Sequence, residues 1–322
     1  MGAAAPSDRS GERSDAGARA LLLLNPTARR AAQARRADVH AALAERWQLE
    51  VIEPRSVEAM RAALREARER SDIDAVLVAG GDGTLRLAAE ALAGAAPPVG
   101  IVPCGTANDL SRALGLPRDA LAAARRLAAR APARPLAMVD ANGARFCSVG
   151  GLGLVTTAAL TVPAWRAGGA LARGVARASG SLVYRLAATA ALLAEGGRVR
   201  RYAISWLTPE GARHDETFAA HGLFVASQRY LGGGLRLPAG ARPDGAFVLC
   251  VVRAMPRARL LAAFTRLSLG LPVPEEALAL LPAREAHVVA GTPDALFGDG
   301  DALGTGSIFH LRACPGALHV LA

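Results

Sequence analysis

The stretch "DAVLVAGGDGTLRLAAEAL", Asp74 to Leu92, decides the fold. Its first half is an apolar run of the length of one strand buried on both faces. The run ends in Gly80-Gly81-Asp82-Gly83-Thr84, and the Ala/Leu-rich segment that follows predicts a helix from Thr84 to about Leu92. Glycines let the backbone turn with positive φ and let an anion approach the chain closely. The helix behind them directs unpaired N–H groups and a positive dipole end at that anion. A carboxylate at Asp82 does not favour phosphate by charge. It fits if Mg²⁺ bridges it to phosphates, or if it contacts the attacking group. The plainer reading is a tight turn with Asp82 as a cap. The loop has neither the G-x-G-x-x-G spacing nor the lysine of a P-loop.

Outward from this loop, strands and helices alternate. "ALLLLNP" (20–26) reads as a short buried strand stopped by Asn25-Pro26, and "QLEVIEP" as a second. Residues 28–47 and 56–70 read as helices, the latter capped by Ser56 with Leu64 on its buried side. "PPVGIVP" is a fourth strand, and "CGTANDL" opens another helix. This alternation predicts an α/β nucleotide-binding domain with a mostly parallel sheet over residues 19–135. In such sheets ligands collect at the carboxyl ends of the strands. Beyond residue 135 short apolar stretches separated by Gly, Pro and Asp turns predict an antiparallel β-sandwich domain over 136–322, interrupted by helical insertions at 158–195 and 258–271. The last residues are allowed to pack back on the first domain.

The loop Pro103 to Pro117, "PCGTANDLSRALGLP", strengthens the nucleotide reading. Gly105 and Thr106 again follow a strand, and Thr106 offers a hydroxyl and backbone N–H groups to a second phosphate. Ordinary capping by Asn108 and Asp109 is the alternative.

These residues carry a family resemblance. "NPTA" at Asn25, "GGDGT" at Gly80 and "GTANDLSRALGLP" at Gly105 resemble the catalytic domain of the diacylglycerol kinase family, in its bacterial lipid kinase branch, related to sphingosine and ceramide kinases. "RFCSVGGLG" (145–153), "SGSLVYRLAA" (179–188), "VASQRYLGGGLRLPAGARPDGAF" (225–247) and "FGDGD" (297–301) extend the similarity to the end of the chain. The resemblance implies ATP- and Mg²⁺-dependent phosphorylation of a lipid hydroxyl in the cleft between the two domains. It implies ATP contacts at Asn25, at Gly80, Gly81, Asp82, Gly83, Thr84, Leu85 and Arg86, and at Gly105, Thr106 and Asn108. Asp301 stands at the family's proton-accepting Glu, with Asp299 able to share the role. Asp244 stands at a structural Mg²⁺ ligand, with the carbonyls of Ala241 and Ala246 beside it. The chain departs from the family at Asp301 for Glu, at Ser148 and Ser227 for Asn, at Val155 for Asp, and in having one Asp before Gly245. The rival readings are a kinase of a soluble acceptor such as NAD and a catalytically silent lipid- or nucleotide-binding homologue.

Composition bounds the partners. The 38 basic residues, all arginine, exceed the 28 acidic ones by 10, which suits an anionic partner. Seven arginines between 160 and 201 are interleaved with Leu, Val, Trp165 and Tyr184, and face either solvent or an anionic membrane surface. No recognition-helix motif points to nucleic acid, and no oligomerisation signal is read. The four cysteines form no C-x-x-C pair and read as reduced thiols. Residues 1–18 mix charges with Gly, Ser and Ala and read as a disordered tail, with no signal-peptide core. No apolar run reaches the ~18–20 residues that span a bilayer. The expected location is cytoplasmic, with peripheral contact on the inner membrane face.

Overall fold

The computed structural model describes residues 17–26, 35–105, 108–169, 182–195, 197–232, 235–238 and 245–322. The first layer comprises β1 (Ala18–Leu24), α1 (Arg36–Ala44), β2 (Trp47–Ile52), α2 (Val57–Glu69), β3 (Ala75–Gly80), α3 (Asp82–Leu92), β4 (Val99–Pro103), α4 (Asp109–Ala113) and α5 (Ala120–Ala128). Strands β2, β1, β3 and β4 pair in that order, each pair parallel. Alternate residues of the apolar runs enter different cores. Leu21, Leu23, Val76 and Val78 pack under α2 and α3 with Leu64 and Leu92. Ala20, Leu22, Ala75 and Leu77 pack under α1 and α5 with Leu43 and Leu127. Period-two side chains on a strand buried on both faces explain this division. Helix α2 starts where the Ser56 hydroxyl accepts a hydrogen bond from Ala59 N at 3.1 Å, the capping expected from the sequence. Helix α3 begins at Asp82, two residues earlier than predicted, because Gly81 can serve as its cap.

The second layer is antiparallel. It contains β5 (Ala133–Ala141), β6 (Ala144–Phe146), β7 (Val149–Gly153), β8 (Arg200–Leu207), β9 (Arg213–Ala226), the short hairpin β10 (Tyr230–Gly232) and β11 (Leu235–Arg236), β12 (Phe247–Arg253), β13 (Leu278–Ala283), β14 (Glu285–Gly298) and β15 (Asp301–Leu321). Its core holds Phe146, Tyr202, Phe218, Phe247 and Phe309. Helices α6 (Leu154–Ala167), α7 (Leu182–Glu195) and α8 (Arg257–Ser268) are inserted between strands, near the predicted insertions.

The two layers are continuous. Strand β15 pairs with β14 and β5 along its length, and its end lies parallel beside β4, Val320 opposite Val99. The β14–β15 turn itself lies beside the first turns of α3, where Arg86 pairs with Asp301 and Asp82 shares a cavity with Asp299 and Gly300.

Candidate active site

The site grows from the strand ends. The chain order places β2 and β3 on either side of β1, so the sheet has a switch point between β1 and β3. Asn25 sits there. Its backbone N–H donates to Ala79 O at 3.0 Å, and its Nδ2 donates to Thr84 Oγ1 at 2.8 Å. A Cβ on Gly80 would stand 2.5 Å from the Thr84 side chain, so glycine at 80 lets Thr84 reach Asn25.

The two glycine loops touch backbone to backbone. A Cβ on Gly105 would lie 2.5 Å from Gly81 Cα and 2.7 Å from Asn108 Oδ1. Gly81 Cα is backbone and cannot swing away, and the Asn108 amide is held by its own bonds to Gly105. Gly105→Ala is therefore expected to cost roughly 1–3 kcal/mol of stability through a forced backbone shift, measurable by urea unfolding. Asn108 takes a left-handed conformation, φ 49°. Its Oδ1 accepts from Gly105 N at 3.0 Å and its Nδ2 donates to Gly105 O at 3.2 Å. Its side chain does not cap α4. Thr106 itself lies outside the described residues, as do Ala241 and Asp244 of the expected structural metal site. Ala246 is buried beside β12. Among the described residues, no group of three or more His, Cys, Asp or Glu side chains could hold a metal.

Asp82, at the first turn of α3, lines a cavity of about 200 Å³. Its Oδ1 is buried without a hydrogen-bond partner. Burial first, then the Asp109 carboxylate, pushes the Asp82 carboxyl up to about 6, against the pull of the backbone amides at Leu110, Asp109 and Asn108. An orphaned buried carboxylate oxygen fits a divalent cation, which supplies the missing partner and favours the charged form. Without a cation, the folded protein holds a proton between about pH 4 and 6 that the unfolded chain has lost, so this group's contribution to stability falls as pH rises through that window. With a chelator present, Asp82→Asn is expected to exceed the parent in stability by roughly 2–3 kcal/mol near neutral pH, the gap closing towards pH 4. Urea unfolding across pH checks this; an unchanged or inverted gap contradicts it.

Asp299 and Gly300, with φ of 50° and 92°, form the two-residue turn between β14 and β15, the positive-φ pair that Asp-Gly favours in hairpins. The Asp299 carboxylate accepts from the N–H groups of Cys147 (2.7 Å), Ser148 (2.9 Å) and Val149 (3.2 Å) and from the Cys147 thiol (3.2 Å). Desolvation raises its carboxyl above the usual range, and these donors oppose the rise. Through these bonds Asp299, which the sequence offers as a partner in proton acceptance, ties the β14–β15 turn to the start of β7. Burial and Asp299 raise the Cys147 thiol well above its ordinary range.

Asp301 stands just outside the cavity lining, next to Gly300, which is part of it. Its Oδ2 forms an ion pair with Nη2 of Arg86. Arg86 is buried on α3 one turn after Asp82 and also meets Glu90 at 3.2 Å, which in turn meets Arg61 at 3.2 Å. This bracing of Asp301 by Arg86 was missed in the sequence, because the two lie 215 positions apart.

From the carboxylates of Asp82, Asp109 and Asp299 the cavity runs into an apolar chamber. Its walls include Val155, Leu192, Phe224, Leu260, Phe264 and Phe297. None of its described lining residues is basic.

Residues 19–141 match the family described as diacylglycerol kinase catalytic domain, and residues 168–322 match the YegS C-terminal NAD kinase beta sandwich-like domain. The chain thus carries a domain similar to the diacylglycerol kinase catalytic domain over residues 19–141. A diacylglycerol kinase of Bacillus subtilis (strain 168) is 37% identical over 107 residues, 33% of either chain. A protein of Stenotrophomonas maltophilia (strain K279a) named "Probable lipid kinase YegS-like" is 30% identical over 185 residues, 54% of either chain. The match thus spans between a third and about half of these two curated relatives. The crystal structure of a diacylglycerol kinase from Bacillus anthracis str. Sterne superposes with a TM-score of 0.70 at 20% identity, covering 94% of this chain and 96% of that one. At that identity it shows a shared fold. No helix among the described residues of this chain is long and apolar enough to cross a membrane.

Proposed function

We propose that this protein is an ATP-dependent lipid kinase that transfers the γ-phosphate to a lipid hydroxyl such as that of diacylglycerol. The observation that carries this reading is the cavity: it is lined by the carboxylates of Asp82, Asp109 and Asp299 and by a large apolar chamber. A polar dinucleotide acceptor would itself lie desolvated and without hydrogen-bond partners in that chamber, which argues against the NAD kinase alternative. In this reading the parallel layer, residues 19–135, binds ATP, and residues 136–322 hold the lipid.

The residues divide the work by position. The first N–H groups of α3, left without intrahelical partners by the helix geometry, face the phosphate side of the loop. The Asn25–Thr84 bond and the Gly81–Gly105 contact hold both loops at one spacing. Bound Mg²⁺ at Asp82 would neutralise charge on the transferring phosphoryl group. Asp301 binds Arg86 through Oδ2 and offers Oδ1 to the proton of the lipid hydroxyl. Its side chain is one methylene shorter than Glu, and Arg86 holds it in place from α3. Asp299 fixes the turn that presents it.

Filling the chamber tests the assignment. Ala159→Phe and Ala263→Phe, both on cavity walls, are expected to lower kcat/KM for a lipid substrate at least about tenfold while leaving ATP affinity unchanged. Undiminished lipid turnover in both would place the lipid elsewhere.

A further inference from the structure

Nine large apolar side chains are exposed among the described residues, and five of them, Leu186, Leu193, Val199, Leu269 and Leu271, lie on or just after α7 and α8. Apolar residues scattered singly over a surface need no account; a concentration on two helices that also wall a cavity does. On α7, Ala188 and Leu192 line the cavity. Leu186 and Leu193, seven residues apart, share the opposite face, Leu193 being 61% exposed. After α8, Leu267 and Val273 line the cavity, and between them Leu269 is 67% and Leu271 47% exposed. The turn at 269–272 is therefore the cavity's rim.

This rim is firmly built. Gly270 takes φ 70°, its N–H donates to Leu267 O at 3.1 Å, and Leu271 N donates to Arg266 O at 2.9 Å. Arg266 Nε donates to Pro272 O at 2.6 Å. In this kind of helix ending the residue after the glycine usually packs back on the helix. Here that residue is Leu271, and it faces out. Helices α7 and α8 carry Arg185, Arg257, Arg259 and Arg266, and their one acidic residue is Glu195, the last of α7. The first acidic residues beyond the rim are Glu275 and Glu276, after Val273.

We propose that the outer side of α7 together with the 269–272 rim seats on an anionic lipid leaflet, so that the cavity fills from the bilayer. The exposed leucines enter the headgroup–acyl boundary while the arginines meet anionic headgroups. A lipid then passes from one apolar phase to another without crossing water. The proposal takes the cavity's occupant from the lipid-kinase reading, but the docking itself requires no turnover.

The test is co-sedimentation of the full chain with vesicles of phosphatidylcholine, with and without phosphatidylglycerol. Leu269→Glu/Leu271→Glu and, separately, Leu193→Glu are expected to lower partitioning onto anionic vesicles about tenfold or more, with unchanged thermal midpoints. Arg257→Glu/Arg259→Glu is expected to lower binding to anionic vesicles and leave binding to pure phosphatidylcholine unchanged. If a Glu variant melts early, Leu269→Ser/Leu271→Ser takes its place. Turnover of a monodisperse short-chain diacylglycerol separates docking from cavity damage: the rim variant should match the parent there, and an equal loss on both substrates overturns the proposal. Binding of both leucine variants at the parent level, or no binding of the parent, also overturns it. If no form turns over any lipid while the parent alone binds vesicles, the docking face stands and the kinase reading falls.

Discussion

Replacing Asp82 by asparagine is expected to lower kcat/KM by on the order of 10³-fold or more, with the fold intact and, near neutral pH, more stable than the parent. The two effects have one cause. The Asp82 Oδ1 is buried without a partner, and burial together with Asp109 opposes its charge. The folded protein therefore carries an electrostatic cost that only a bound cation relieves. Asparagine removes both the cost and the ligand. Mg²⁺ should raise the thermal midpoint of the parent and leave that of Asp82→Asn unmoved. A variant that loses activity and stability together would point to simple misfolding, and one that keeps activity would remove Asp82 from the chemistry.

Asp301→Ala is expected to lose 10²–10⁴-fold in kcat, roughly the range for removal of a general base, with ATP affinity retained. Arg86→Gln should lie between that variant and the parent, because the carboxylate remains but loses its anchor at Nη2. Asp301→Glu should stay active, since it restores the longer side chain that the resemblance expects at this position. The distinction matters because Asp301 is more exposed than Asp299, whose oxygens are taken up by four donors. Full activity in Asp301→Ala would sink the base assignment and turn attention to a water held at the Asp82 end.

The strand–glycine-loop–helix unit at Asp74–Leu92 was legible because each signal in it is local: an apolar run, glycines, then helical periodicity. The same holds for Ser56, whose capping bond spans three residues. Strand β15 was not legible. Gly304, Gly306 and Gly316 punctuate it, Pro315 lies within it, and its pairing shifts register between Cys314 and Leu318, so it has no clean alternation to read. At the site, the glycine loops and Asp82 were marked by sequence. The brace at Asp299 and the Arg86–Asp301 pair were not, since both are contacts across more than 150 positions. Asn108 was open to reading as a cap of the next helix, and its amide bonds back to Gly105 instead.

The measurement that tests the central claim most directly is transfer of labelled γ-phosphate from ATP, with Mg²⁺, into a total bacterial lipid extract, comparing the parent with Asp82→Asn. The account predicts a labelled, solvent-extractable lipid product from the parent alone, whose mass identifies the acceptor. ATP binding without any labelled lipid, or a label that stays in the aqueous phase, would contradict it.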